Sequence, residues 1–252
     1  MTAGRRRADG PAPGRMTVEL TGIPGSGKSH LARTLVGRLA ARGVPVVLPQ
    51  AGMGPKVPTG RRLARKAVAV AGATVTGPVQ TMALSRGLLR SGQPGRADIA
   101  GRLVQALIAQ DAAARAVRRE GVSILDEGLV QALWSIGLRG DVHPVLALWG
   151  AVAERPPSQL LVVLETSPDV ALARLAARPS QHSRTQLLIE RERLAELKRG
   201  VTLLDELVHW WSAWAGDSGQ VVVVGSEESG AEREQLIDQI CASVGGGRAI
   251  PQ

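Results

Sequence analysis

Apolar and polar positions alternate in short blocks along most of the chain, and the blocks separate into two periods. Thr17-Val-Glu-Leu-Thr21 alternates residue by residue, which is the pattern of a strand. Behind it Leu31, Leu35 and Leu39 recur every four residues, with Arg33, Arg38 and Arg42 off that stripe, which predicts an amphipathic helix. Val44-Pro-Val-Val-Leu48 reads as a second strand and the Gly- and Pro-rich residues 49–60 as a loop. Helical periodicity then covers about 59–72, 78–91 and 97–119. The third strand is Val122-Ser-Ile-Leu125, followed by helices over 129–137 and 144–153. Leu160-Leu-Val-Val-Leu164 is a fourth strand. Pro168 opens a helix to about 177, at a position where proline is tolerated. A long helix over about 185–214, the strand Val221–Val224 and a helix over about 231–243 complete the series. Short apolar strands alternating with helices predict an α/β fold. Its sheet is central, mostly parallel and five-stranded, with helices on both faces. In such sheets ligands bind at the carboxyl ends of the strands.

Between the first strand and the first helix lies Gly22-Ile-Pro-Gly-Ser-Gly-Lys-Ser29, which fits G-x-x-x-x-G-K-[ST]. Strand, loop, helix is the context this motif requires. Its glycines let the backbone turn tightly and aim N–H groups at phosphate oxygens, and the helix that follows adds its positive end. Gly22, Pro24, Gly25, Ser26, Gly27, Lys28, Ser29 and His30 are therefore the expected nucleotide-binding residues. Lys28 is expected at the β- and γ-phosphates and the Ser29 hydroxyl on Mg²⁺. The expected cofactors are ATP and Mg²⁺.

Two further motifs follow. Val122-Ser-Ile-Leu-Asp-Glu127 is an apolar strand ending in two acids. Asp126, facing the phosphate loop, is expected to hold Mg²⁺ through water. Glu127 has two readings: a general base for a hydroxyl acceptor or water, or an acid stabilised by the dipole of the next helix. Next, Leu164-Glu-Thr-Ser-Pro-Asp-Val-Ala-Leu-Ala-Arg-Leu-Ala-Ala-Arg178 delivers Arg174 and Arg178 on one helical face, with Arg184 beyond. Such arginines neutralise charge that develops in phosphoryl transfer, and 178–184 reads as a closing lid. Alternatively they pair with Glu190 and Glu192.

Taken together, these motifs resemble the P-loop kinases of the nucleoside-monophosphate kinase type, thymidylate kinase most of all, over about residues 16–245. The resemblance implies a three-layer P-loop NTPase fold, a donor site at the loop, lid arginines at Arg174 and Arg178, and a final loop, 225–229, beside the donor base. It places the acceptor region at about 50–120. One departure is chemical. That family carries Asp-Arg where this chain has Asp126-Glu127, and an acid there repels a monophosphate while suiting a hydroxyl. Trp134 and Trp149 are the two aromatic candidates for stacking on an acceptor, or else core.

Composition narrows the picture further. There is no Phe or Tyr among 252 residues, so the core is aliphatic with five Trp, and the single Cys241 excludes an internal disulfide. No run offers the ~18 consecutive apolar residues of a membrane span. Arg5-Arg-Arg7 is followed by no apolar core and does not read as a secretory signal. A cytoplasmic enzyme is expected, with residues 1–15 and 246–252 as tails. The 31 Lys and Arg against 22 Asp and Glu give a net charge of +9, from an Arg-rich composition or an anionic partner. Twelve basic residues and no acid lie between Glu19 and Asp98. Arg61, Arg62, Arg65 and Lys66 cluster on one helix there, facing an anionic acceptor, plain solvent, or less favourably a membrane or nucleic acid.

The function these features support is ATP-dependent transfer of the γ-phosphoryl group to a small-molecule acceptor, an anionic hydroxyl-bearing metabolite or a nucleotide. The alternatives are a P-loop ATPase or GTPase acting as a switch, and a non-catalytic nucleotide-binding protein. A homodimer is compatible with the sequence.

Overall fold

The structure is a computed structural model that describes residues 15–50, 57–153, 160–177, 189–225 and 230–246. Five parallel strands run in the order β2-β3-β1-β4-β5. They are β1 (Arg15–Gly22), β2 (Val46–Val47), β3 (Gly121–Leu125), β4 (Leu160–Glu165) and β5 (Gln220–Gly225). β1 lies in the middle, pairing with β3 on one side and β4 on the other. The second strand is shorter than the apolar run Val44–Leu48 predicts. Pro45 spends its carbonyl on Val122 N–H at 2.8 Å, and only Val46 and Val47 join the ladder.

Nine helices connect the strands among the described residues: α1 (Lys28–Ala41), α2 (Thr59–Thr76), α3 (Pro78–Arg90), α4 (Arg96–Ala116), α5 (Leu129–Gly137), α6 (His143–Gly150), α7 (Pro168–Ala176), α8 (Glu190–Ala215) and α9 (Gly230–Gly246). Two hydrophobic layers sandwich the sheet. On one face Val18, Leu20, Ile124 and Val162 meet Leu31, Leu35 and Leu39 of α1 and Leu236, Ile237 and Ile240 of α9. The other face carries Leu125, Leu161 and Val163 against α4, α5, α7 and α8. A fully buried Leu of this kind contributes about 1.5–3 kcal/mol relative to exposure.

The alternation in β1 has an unexpected meaning. Its polar side chains Thr17, Glu19 and Thr21 do not face water; all three are buried under the α4–α5 layer. The sheet is covered on both faces, so the polar half of the pattern must find partners inside. Trp134 and Trp149 belong to the core. Trp134 Nε1 donates to the Gly200 carbonyl at 2.7 Å, and Trp149 packs in a cluster with Trp210 and Trp214. Neither is placed to stack on an acceptor.

Candidate functional site

The loop Gly22–Ser29 leaves the carboxyl end of β1 and turns directly into α1. Two of its glycines are required by geometry. Gly27 caps α1 in the left-handed region, at φ 99°, where a side chain is disfavoured. Gly25, at φ 92°, lies so close to α7 that an added Cβ would sit 2.7 Å from the Ala171 carbonyl oxygen. That contact locks the loop onto α7 and puts Arg174, one turn past Ala171, on the side of the helix nearest the loop. Arg174 is half-buried there. Ser167 caps the start of α7, its Oγ accepting from Val170 N–H at 3.3 Å, with Pro168 in the first turn.

Lys28 folds back across the loop. Its Nζ donates to the Gly22 carbonyl at 2.6 Å and to that of Ile23 at 3.2 Å. Ser26 is buried, and its Oγ finds no hydrogen-bond partner in the protein; neither does Thr166 Oγ1 at the end of β4. An orphaned buried hydroxyl costs about 1–3 kcal/mol unless something else satisfies it. Pro24 is half-buried, and Ser29 and His30 are exposed on the first turn of α1.

β3 ends at Leu125, opposite Glu19, so Asp126 emerges beside the central strand a short way below the loop. Asp126 and Glu127 share one electrostatic environment with it. Burial pushes the Asp126 carboxyl above its ordinary value; its own backbone N–H and the Lys28 charge oppose the rise. Glu127 is raised by burial and by the charge of Asp126, against Lys28 and Lys66. Lys66 stands on α2 and its charge reaches Glu127, and Arg62, Arg65 and Lys66 are all half-buried on the helix's inner side. Arg61 points outward and is exposed.

Two residues near the acid pair carry no motif. Gln50, at the end of the second strand's run, clamps the Glu127 backbone: its Nε2 donates to the Glu127 carbonyl at 2.6 Å and its Oε1 accepts from Glu127 N–H at 3.2 Å. Glu19 does the work that the sequence offers to Glu127 as an alternative. Its Oε1 accepts from Val130 N–H at 2.6 Å, capping α5 from the neighbouring strand. Gly128 makes room for it, since a Cβ there would overlap the Glu19 carboxyl. An acid in the middle of an apolar strand was the available signal for Glu19; Gln50 had none beyond its place at a strand end.

If Mg²⁺ binds at the loop, Ser29 and Asp126 are the residues that would offer it oxygens. Two protein oxygens suit an octahedral ion that keeps waters and phosphate oxygens as its other ligands. Among the described residues no three His, Cys, Asp or Glu side chains converge as a metal cage, which the same ion does not require. Arg178, Arg184 and the 178–184 lid lie outside the described residues, as do 226–229 of the final loop.

No family model matches the chain, and no curated protein matches it in sequence. A solved structure, the deoxyadenosine kinase from M. mycoides with bound dATP, is similar with a TM-score of 0.50 and 14% identity, over 88% of this chain and 97% of that one. Another, of deoxyadenosine kinase from M. mycoides with the products dCMP and a flexible dCDP, gives 0.49 at 14% identity over 91% and 100%. The first likeness is one of fold: the chain has the α/β P-loop NTPase architecture, with its parallel five-stranded sheet between helical layers.

Proposed function

We propose that the protein is an Mg²⁺-dependent phosphotransferase that moves the γ-phosphoryl group of ATP to a hydroxyl of a small molecule. The observation that carries this reading is that the Lys28 charge acts on both Asp126 and Glu127, and the Lys66 charge on Glu127, at the carboxyl end of the sheet. A nucleotide switch needs the loop and Asp126 but has no use for a basic helix facing the acid pair. The loop and Lys28 would hold the donor phosphates. Bound Mg²⁺ would bridge them and offset their charge. Glu127, its main chain fixed by Gln50, would take the proton from the attacking hydroxyl, and Arg174 would neutralise the transferring group.

The acceptor lies between the acid pair and α2. The carboxylate of Glu127 favours a free hydroxyl over a second phosphate dianion at the point of attack. Lys66, Arg62 and Arg65 favour an anionic group farther along α2. A deoxynucleoside deserves first trial, given what the M. mycoides enzyme is named for. Nucleoside monophosphates and phosphorylated or carboxylated hydroxy-metabolites come next.

The test is ADP release measured across those three acceptor classes. An acceptor should stimulate release, and Lys28→Ala should lower transfer by more than ~10²-fold without altering the circular dichroism spectrum, because phosphate clamping is worth several kcal/mol in the transition state. Steady ADP release that ignores every acceptor would replace the transferase with a switch ATPase.

A further inference from the structure

We infer that the outward faces of α2 and α3 rest on an anionic membrane surface. α2 and α3 carry apolar side chains on their outward sides as well as on their inner ones. The inner side of α2 carries Arg62, Arg65 and Lys66 beside buried Ala69 and Ala73, whereas Leu63, Val68 and Val75 point into solvent, Val75 at 80% exposure. α3 buries Ala83, Leu84 and Leu88 and exposes Val79, Met82 and Leu89. Both helices pack on α4 by their inner sides, so the exposed stripes face away from the body of the protein. A lone exposed Leu or Val is ordinary. Here six of the nine large apolar side chains exposed among the described residues fall on two consecutive helices, and such a concentration marks a contact surface.

Charge identifies what covers it. The segment from α2 to α3 contains no Asp or Glu, and Arg61, Arg86 and Arg90 are exposed along it. A two-fold contact between copies of this chain would set that acid-free, basic face against itself. A single-stranded nucleic acid would meet the arginines, but its bases stack on aromatic rings, and neither helix carries one. Anionic lipid satisfies both halves of the surface: headgroups for the arginines and acyl chains for the valines and leucines. α2 and α3 together pass for a membrane span by length and hydropathy, but the chain bends by 109° between them.

Co-sedimentation of the full chain with vesicles tests the assignment, using phosphatidylcholine alone and phosphatidylcholine with about one-third phosphatidylglycerol. Binding should be at least about tenfold tighter to the anionic vesicles and should fall as salt rises. Val68→Ser with Val75→Ser should weaken it by about tenfold or more, from lost apolar insertion. Arg61→Gln with Arg86→Gln should weaken it by about fivefold per arginine. Val117→Ser, an exposed valine beyond α4, should change nothing. These substitutions lie on solvent-facing positions, and unchanged thermal unfolding verifies the fold; should the serine pair unfold the protein, the arginine pair reads the same surface. Absence of binding to anionic vesicles overturns the inference. So does equal binding by all variants, or an effect of the variants confined to self-association or to RNA retention.

Discussion

Glu127 is where the chemistry of this chain is most exposed to test. Its carboxyl is raised by burial first and by the Asp126 charge second, with Lys28 and Lys66 pulling the other way. A general base acts only when ionised, so transfer should fail on the acid side as pH drops through this raised value, above the usual ~4.3 of a glutamate. Lys66→Met removes one of the opposing charges and should move that acid limb further up. Glu127→Gln should lower transfer by ~10²–10⁴-fold, the usual worth of a positioned base, abolish the limb, and leave ATP affinity nearly unchanged. Full activity in Glu127→Gln would remove the base from this scheme. Arg174 calls for a different comparison. Its place one turn past the Ala171 contact with Gly25 predicts a role as the transferring group develops charge. Arg174→Ala should therefore reduce kcat far more than nucleotide affinity; equal losses in both would make it a ground-state binding residue.

Among the elements, α5 depends on a residue of another strand. Gly128 offers no side-chain cap to the start of this helix, and Glu19 supplies the acceptor from β1. The carboxylate is buried at a cost, offset by the Val130 N–H and by the positive end of the helix. Glu19→Ala leaves that N–H without its acceptor and should destabilise the fold by about 2–3 kcal/mol in urea denaturation. Glu19→Gln keeps an oxygen at the position and should cost less. Identical midpoints for both variants and the parent would show that the cap carries no weight. Because the same short segment bears Asp126 and Glu127, Glu19→Ala should also disturb the acid pair, which links strand packing to the chemistry at its end.

At the scale of the molecule, the strand order makes the site. β1 sits between β3 and β4, so the loop after β1, the acids after β3 and α7 after β4 all open at one end of the sheet. Far along the chain, α6 and α8 are tied by His143, whose Nδ1 lies 2.7 Å from Asp141 and whose Nε2 lies 2.7 Å from Glu206. The Asp141 hydrogen bond is the main cause that raises the His143 pKa, with the Glu206 charge adding to it. A group whose folded pKa exceeds its unfolded value stabilises fully below the unfolded value, about 6.5, and loses that contribution as pH rises through the folded one. The Tm difference between the parent protein and His143→Gln should therefore be largest below about pH 6 and shrink through the alkaline range. The pair is exposed, so the effect is small. A difference independent of pH would mean that the imidazolium is not what joins the helices.

Periodicity and one loop motif determined much of this protein before any coordinates. Among the described residues each predicted strand and helix exists, because local apolar spacing decides the period of an amphipathic element, and the Gly22–Ser29 spacing predicts the turn found between β1 and α1. Tertiary structure decided which side of each element mattered. Nothing local distinguishes a polar residue facing water from one facing another layer; only the α4–α5 cover turned Glu19 from a surface acid into a helix cap. The same holds for α2, whose pattern predicts a helix but not that Arg62, Arg65 and Lys66 lie on its inner side while Val68 and Val75 are exposed. Gln50 reaches the Glu127 backbone across 77 positions of chain. A contact of that separation is set by strand order, which the hydrophobic pattern of neither segment encodes.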